Sequence, residues 1–296
     1  MAIMKETVMK QNCNRRLRDI MSQRKAVLLP GAANALAARV IEDIGFQAIY
    51  VTGAGVTNTF LGVPDIGLIT LTELASHVSA TRDVVALPLI VDADTGFGNP
   101  INVARTIQVL ERSGANAIQL EDQDFPKRCG HFSGKSVIGR ADMVQKIHAA
   151  VDARIDPDLV IIARTDAIAS NGFEDAMERA AAYIEAGADM TFVEAPRTKE
   201  QIAEIPKRLA VPQLINIVAG GLTPMIGLDE LGKMGFSMIL YANAALQASI
   251  AGMQKVLGHL KAHGSLDGIS GELASLEERQ RLVCKPRFDD LEKKYL

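Results

Sequence analysis

The sequence predicts an α/β protein, a (β/α)8 TIM barrel with extra N-terminal and C-terminal helical segments. Three observations carry this reading. Eight short apolar runs recur along the 296 residues, and none alternates cleanly between apolar and polar positions. Strands buried on both faces of a parallel sheet have that character. The stretches between them show helical spacing and several end in glycine, a common helix stop. The length also suits one barrel, which typically takes about 250 residues. A doubly wound open sheet is the competing architecture, but no G-x-G-x-x-G follows the first run, which weakens a dinucleotide-binding reading.

Taken in order, a polar leader (1–24) precedes the first strand, AVLLPG (26–31). A helix at 34–45 closes on Gly45 and feeds AIYVTG (48–53). The third strand is PLIVDAD (88–94), and the helix at 102–114 stops at Gly114 before AIQLEDQ (117–123). Met143, Val144, Ile147 and Val151 give the helix at 141–154 an apolar stripe close to the 3.6 period. LVIIARTDA (159–167), a helix at 174–187 and MTFVEA (190–195) come next, then VPQLINIV (211–218) and SMILYANA (237–244). Residues 261–296 exceed the needs of the barrel and read as a helical tail or oligomer contact. A single domain, 1–296, with its core at 25–260, is the expected organisation.

Composition narrows the function. Hydrophobic residues make up 48% and charged residues 23%, which excludes a disordered chain. A net charge of −3 gives no pull toward nucleic acid or anionic lipid. No apolar run approaches the ~18 residues that span a bilayer, and the leader has no apolar signal core, so a cytoplasmic protein without membrane or nucleic-acid partners is expected. Cys13, Cys129 and Cys284 lie too far apart to suggest a disulfide framework or zinc knuckle. Cys13 and Cys284, like His77, His148, His259 and His263, read as packing or surface residues.

Barrel chemistry sits at the C-terminal ends of the strands. Here those ends are charged: Asp92 and Asp94, expected to share a face by strand alternation, then Glu121, Arg164 with Asp166, Glu194 and Asn216, joined by Asp65 from the second loop. Converging carboxylates repel and are costly to desolvate, and a divalent cation resolves both problems. An all-oxygen donor set without a histidine pair favours Mg2+ or Mn2+ over zinc. Asp94 is the expected direct ligand, with Asp92, Glu121 and Asp65 acting through water; the alternative for Asp92 and Asp94 is helix capping. In the loop EDQDFPKRCGH (121–131), Lys127, Arg128 and His131 stand ready to lower the Cys129 pKa, and the Gly130 backbone can approach a carboxylate. An ordinary exposed loop is the alternative. Arg164 can hold a substrate carboxylate, or pair with Glu194 or Asp166. Two turns, 52–55 and 219–221, can present backbone N–H groups to an anion or phosphate, or be plain glycine turns.

The segments VDADTGFGNPINVARTI, IQLEDQDFPKRCGH, IIARTDA and FVEAP resemble the isocitrate lyase and phosphoenolpyruvate mutase superfamily across residues 15–260, and KRCGH resembles its lyase branch. The resemblance implies a homotetramer with the C-terminal helix exchanged between neighbours, and a Mg2+ (or Mn2+) cofactor. It implies retro-aldol (retro-Claisen-type) cleavage of a small 2-hydroxy dicarboxylate. Asp94 would be the metal-binding aspartate, with Asp92, Asp65 and Glu121 around it. Cys129 would be the acid/base of a gating loop, His131 and Arg164 carboxylate binders, and Glu194 and Asn216 polar site residues. Tyr50, Thr52, Gly53 and Ala54 would hold the 2-oxo acid product. The resemblance also implies that members acting on tricarboxylates carry hydroxyl or acidic side chains just after this asparagine, whereas the run NIVAGGLTP (216–224) offers Val218, Ala219 and two glycines there. The expected substrate is therefore 2,3-dimethylmalate, cleaved to pyruvate and propionate. The alternatives are 2-methylisocitrate, an oxaloacetate- or phosphonopyruvate-acting member, and a non-catalytic sensor barrel. None of the eight strands contains lysine, which argues against Schiff-base chemistry.

Overall fold

The computed structural model describes residues 13–23, 25–128 and 134–296. Eight parallel strands close into a barrel in sequence order: β1 (Val27–Ala32), β2 (Ile49–Val51), β3 (Leu89–Asp92), β4 (Ala117–Glu121), β5 (Val160–Thr165), β6 (Met190–Val193), β7 (Gln213–Asn216) and β8 (Met238–Tyr241). Seven lie within their apolar runs, and β1 extends one residue past its own, to Ala32. Leu29, Tyr50, Ile90, Ile162, Phe192, Leu214 and Leu240 pack inside the barrel. Their neighbours Val51, Val91, Ile118, Ile161, Ile215 and Ile239 pack outward under the helices. Both faces are buried, which is why the strands lack polar alternation. A Cβ on Gly31 would collide with the backbone of Ala242, so the seam between β1 and the end of β8 requires glycine.

The helices are α1 (13–22), α2 (Ala35–Ile44), α3 (Gly53–Val56), α4 (Leu71–Arg82), α5 (Pro100–Ser113) and α6 (Arg140–Ala153). They continue with α7 (Phe173–Glu185), α8 (Lys199–Arg208), α9 (Leu228–Met234), α10 (Ala244–His263), α11 (Leu276–Leu282) and α12 (Lys285–Tyr295). Asn34 caps α2 through its side chain, and α2 and α5 stop at left-handed Gly45 and Gly114.

The polar leader is corrected in part. Within it, Leu17, Ile20 and Met21 lie at helical spacing on α1 and are buried against the first residues of several strands. The helix therefore closes the N-terminal end of the barrel. Arg18 fixes it there, donating to the carbonyls of Asp158 at 2.9 Å and Pro157 at 3.1 Å and pairing with Asp189. The opposite, C-terminal end is left for the site. The tail is helical, as expected. Its α11 meets α2 through Arg281, which pairs with Asp43. No residue of the 20-residue α10 is buried, and Ile250, Met253 and Leu257 on it are exposed. Among the described residues no helix is long and apolar enough to cross a membrane.

Candidate active site

The C-terminal strand ends open on a cavity. Eleven of the residues singled out from sequence line it: Tyr50, Thr52, Ala54, Asp65, Asp92, Glu121, Lys127, Arg128, Arg164, Glu194 and Asn216. Asp94 and Gly53 adjoin Asp92. A Cβ on Gly53 would lie 3.2 Å from both Asp92 Oδ2 and Asp94 Oδ1, so glycine lets the second loop close up against these carboxylates. Cys129, Gly130 and His131 lie outside the described residues.

The two aspartates reach the site differently from the strand-alternation expectation. β3 ends at Asp92, and Asp94 follows it in the left-handed region, at φ 49°. The turn brings Asp94 N–H to within 3.2 Å of Asp92 Oδ1. Tyr50 donates to Gln119 Oε1 at 2.6 Å, and Gln119 Nε2 donates to Asp92 Oδ1 at 3.0 Å. This chain of three strands fixes Asp92, and burial raises the Tyr50 pKa well above its ordinary value, so the phenol stays a donor.

Lys127 departs from its expected role. Its side chain turns inward, contacts Asp65 and lies 2.7 Å from Asp94 Oδ1, with only 4% of the side chain exposed. Its charge answers carboxylates inside the barrel rather than standing free for a thiol. Burial alone would lower its pKa, but Asp94, Glu121, Asp65 and Asp92 together raise it well above the ordinary lysine value. Burial also pushes Asp94 up to about 7, with Asp92 and Asp65 adding to the shift and Lys127 opposing it. Burial raises Glu121 as well, against the pull of Arg164.

These observations test whether the residues suit a hard dication. Among the described residues no three His, Cys, Asp or Glu side chains are gathered into a ready metal cage. Mg2+ does not need one, because it keeps several waters and usually takes one or two carboxylates directly. The donors present are carboxylate oxygens. They already draw in Lys127, and burial, which raises Asp94 and Glu121, favours a further positive charge beside them. The set fits a hard divalent ion.

Arg164 is held from three sides. It meets Asp166 through two hydrogen bonds of 2.8 and 3.0 Å, lies 3.3 Å from Glu121 Oε2, and stacks over the Phe192 ring at 5.1 Å. Of the two partners weighed for it, Asp166 makes the direct bonds, while Glu194 adds to the field on the guanidinium. Lys135 also donates to Asp166, at 2.8 Å. Behind this pair, buried Asp122 accepts from Thr165, Tyr183 and the Asp166 backbone N–H at 2.8, 2.8 and 2.9 Å. Burial would raise Asp166, but Arg164 and Lys135 outweigh it and hold that carboxyl below its ordinary value. The guanidinium is thus charged and fixed in direction.

Two turn expectations are revised. Residues 52–55 are no loose glycine turn: Thr52 caps the short helix α3, accepting from Gly55 N–H at 3.3 Å. The strand-seven loop beyond Asn216, including 219–221, does not line the cavity. The apolar wall comes instead from Phe192 on β6, Leu240 on β8 and Ala242 just after β8. Sequence reasoning missed these, together with Gln119 and Asn243. Gln119 was findable, because it precedes Glu121 by two positions on β4 and so faces the same way.

The phosphoenolpyruvate phosphomutase family model matches residues 17–261. The chain belongs to this family, within the PEP mutase/isocitrate lyase superfamily. It is 39% identical over 284 residues to 2,3-dimethylmalate lyase of Eubacterium barkeri, covering 96% of this chain and 98% of that protein. It is 44% identical over 278 residues to 2-methylisocitrate lyase of Aeropyrum pernix, covering 94% and 88%. The crystal structure of a phosphonopyruvate hydrolase complexed with oxalate and Mg2+ superposes with a TM-score of 0.86 at 29% identity, covering 95% of this chain and 98% of that one. The chain is therefore a member of an enzyme family whose relatives include lyases.

Proposed function

We propose that this chain is a Mg2+-dependent carbon–carbon lyase that cleaves a 2-hydroxy dicarboxylate by retro-aldol (retro-Claisen-type) chemistry, with 2,3-dimethylmalate as the substrate. The observation that carries the reading is the meeting, in one cavity, of an all-oxygen acidic cluster with a fixed guanidinium. The identity to the Eubacterium barkeri lyase over nearly the whole chain supports the substrate choice. So does the wall of Phe192, Leu240 and Ala242, which suits alkyl groups.

Asp94 would hold the metal directly, and Asp92, Asp65 and Glu121 would do so through water. When bound, the dication supplies Lewis-acid polarisation of the substrate's 2-oxygen and adjacent carboxylate. Tyr50, Thr52, Gly53 and Ala54 surround the half that leaves as pyruvate. Glu121, whose proton affinity burial raises, takes up the 2-hydroxyl proton. As C2–C3 breaks, its electron pair passes to C3 and spreads into the neighbouring carboxylate. Arg164, with His131 and the Gly130 backbone, stabilises that charge. Cys129 then gives C3 its proton, which releases propionate. Glu194 and Asn216 complete the polar wall. We further infer a cytoplasmic homotetramer with exchange of the C-terminal helix; the absence of any buried residue on α10 supports the exchange.

Steady-state assays with Mg2+ on 2,3-dimethylmalate and 2-methylisocitrate test the substrate. A higher kcat/KM for dimethylmalate is expected. A clear preference for methylisocitrate overturns it in favour of the second reading, 2-methylisocitrate lyase, to which the identity with the Aeropyrum pernix protein points.

A further inference from the structure

Lysine is almost never fully buried unless it is paired, and Lys135 keeps only 1% of its side chain exposed. It stands ahead of α6, and the backbone beside it is fixed. Asp124 N–H donates to the Ser136 carbonyl and Ile138 N–H to the Asp122 carbonyl, both at 2.9 Å. Residues 136–138 therefore run antiparallel to 122–124, just beyond β4. From the end of this ladder the Lys135 ammonium reaches Asp166 Oδ1 at 2.8 Å, deep enough that the Asp166 side chain has no exposed surface. The same oxygen accepts from Arg164 Nη2 at 3.0 Å. Two cations thus share one carboxylate, and the Arg164 guanidinium faces a second carboxylate, Glu121, at 3.3 Å.

We propose that Lys135 is a positioning residue that acts through Asp166 on Arg164: it offsets the charge of the carboxylate that aims the guanidinium, so that Arg164 still attracts a substrate carboxylate. This rests on the lyase reading above, in which Arg164 meets the carboxylate that leaves with C3. Two demands on Arg164 conflict. Its direction is set by two hydrogen bonds to Asp166, yet that carboxylate cancels the guanidinium charge. With Glu121 counted, Arg164 and its two acidic neighbours carry one formal negative charge, which repels an incoming anion. Lys135 restores neutrality without touching the cavity: it does not line it, whereas Arg164 does. In a site of low effective dielectric one such charge is felt well beyond contact distance. Asp166 can then orient Arg164 without spending its attraction for the ligand.

The test compares wild type with Lys135→Met, which deletes the charge and the hydrogen bond, and Lys135→Gln, which keeps a donor for Asp166 and deletes only the charge. Calorimetric titration in Mg2+ measures two ligands, 2,3-dimethylmalate and pyruvate, the second belonging to the half of the site away from Arg164. Both variants should bind dimethylmalate about tenfold more weakly than wild type, while pyruvate affinity stays within about twofold. Steady-state assays should show kcat falling as KM rises, because C2–C3 cleavage adds negative charge to the carboxylate that Arg164 faces. Dimethylmalate affinity in Lys135→Gln equal to wild type would mean that Lys135 is a hydrogen-bonded anchor and nothing more, and overturns the proposal. Equal weakening of pyruvate overturns it too, since that marks a general distortion of the site. Should Lys135→Met fail to fold, Lys135→Gln carries the comparison. If the wild type turns over no hydroxydiacid, the lyase reading fails on its own, and the two titrations still decide the role of Lys135.

Discussion

Replacing Lys127 with methionine probes the electrostatics of the barrel rim. The substitution keeps an unbranched side chain and deletes the charge. The ammonium stands 2.7 Å from Asp94 and contacts Asp65, in a position only 4% exposed. At an effective dielectric constant of ~20, one such pair attracts by roughly 6 kcal/mol before desolvation is counted. Removing one partner of a buried pair typically costs ~3–5 kcal/mol net. Asp94 titrates at about 7, so it relieves part of the strain by taking a proton. The lower end, about 3 kcal/mol, is therefore expected for the metal-free protein, a fall in Tm of roughly 6–12 °C for a chain of this size. Mg2+ should act in the opposite sense. Without the internal cation the carboxylates are uncompensated, and the Mg2+ dissociation constant should fall about tenfold, equivalent to ~1.4 kcal/mol. Thermal melts in EDTA and in Mg2+, with calorimetric titration of the metal, read both effects. Equal destabilisation in the two conditions, or unchanged or weaker Mg2+ binding, would refute the reasoning.

Three further outcomes follow from the same geometry. Burial raises Asp94 to about 7, so protons compete with the metal below that pH: Mg2+ affinity should rise with pH and level off above 7, and calorimetry in buffers of different ionisation enthalpy should detect proton release at pH 6 but little at pH 8. The sign for stability is reversed. The folded metal-free state binds the extra proton, so this stabilising contribution is full below the unfolded carboxylate pKa and is lost as pH rises through about 7, a trend that melts in EDTA will show. Gly53→Ala places a methyl 3.2 Å from Asp92 and Asp94 and should weaken Mg2+ about tenfold while shifting Tm little; an unaltered affinity counts against the tight approach of the second loop. Leu17→Ala opens a cavity in the barrel floor and should cost about 3–5 kcal/mol by chemical denaturation, whereas a change under ~1 kcal/mol would mean α1 does not seal the barrel.

The strands were legible because burial on both faces writes itself as short unbroken apolar runs, and the acids at their ends stood out against that background. Asp65, Asp92, Glu121 and Arg164 were readable for this reason. What stayed hidden depended on closure of the ring. Lys127 reads as part of a basic loop, and only its inward turn reveals that it meets Asp65 and Asp94. Asp94 reads as a strand residue, but a left-handed turn aims it. Leu17, Ile20 and Met21 are three apolar positions diluted by Arg15, Arg16, Arg18 and Asp19, so the floor helix looked like a polar leader. Asn243 has the local signature of a helix cap, and its cavity-facing placement emerges only once β8 returns beside β1.

The most direct measurement is pyruvate release from 2,3-dimethylmalate as Mg2+ is titrated into EDTA-treated protein. Turnover that appears only with the dication, and that disappears in Asp94→Asn while the protein remains folded, is the predicted result. Pyruvate formed at full rate without any divalent ion, or by Asp94→Asn as fast as by the wild type, would contradict it.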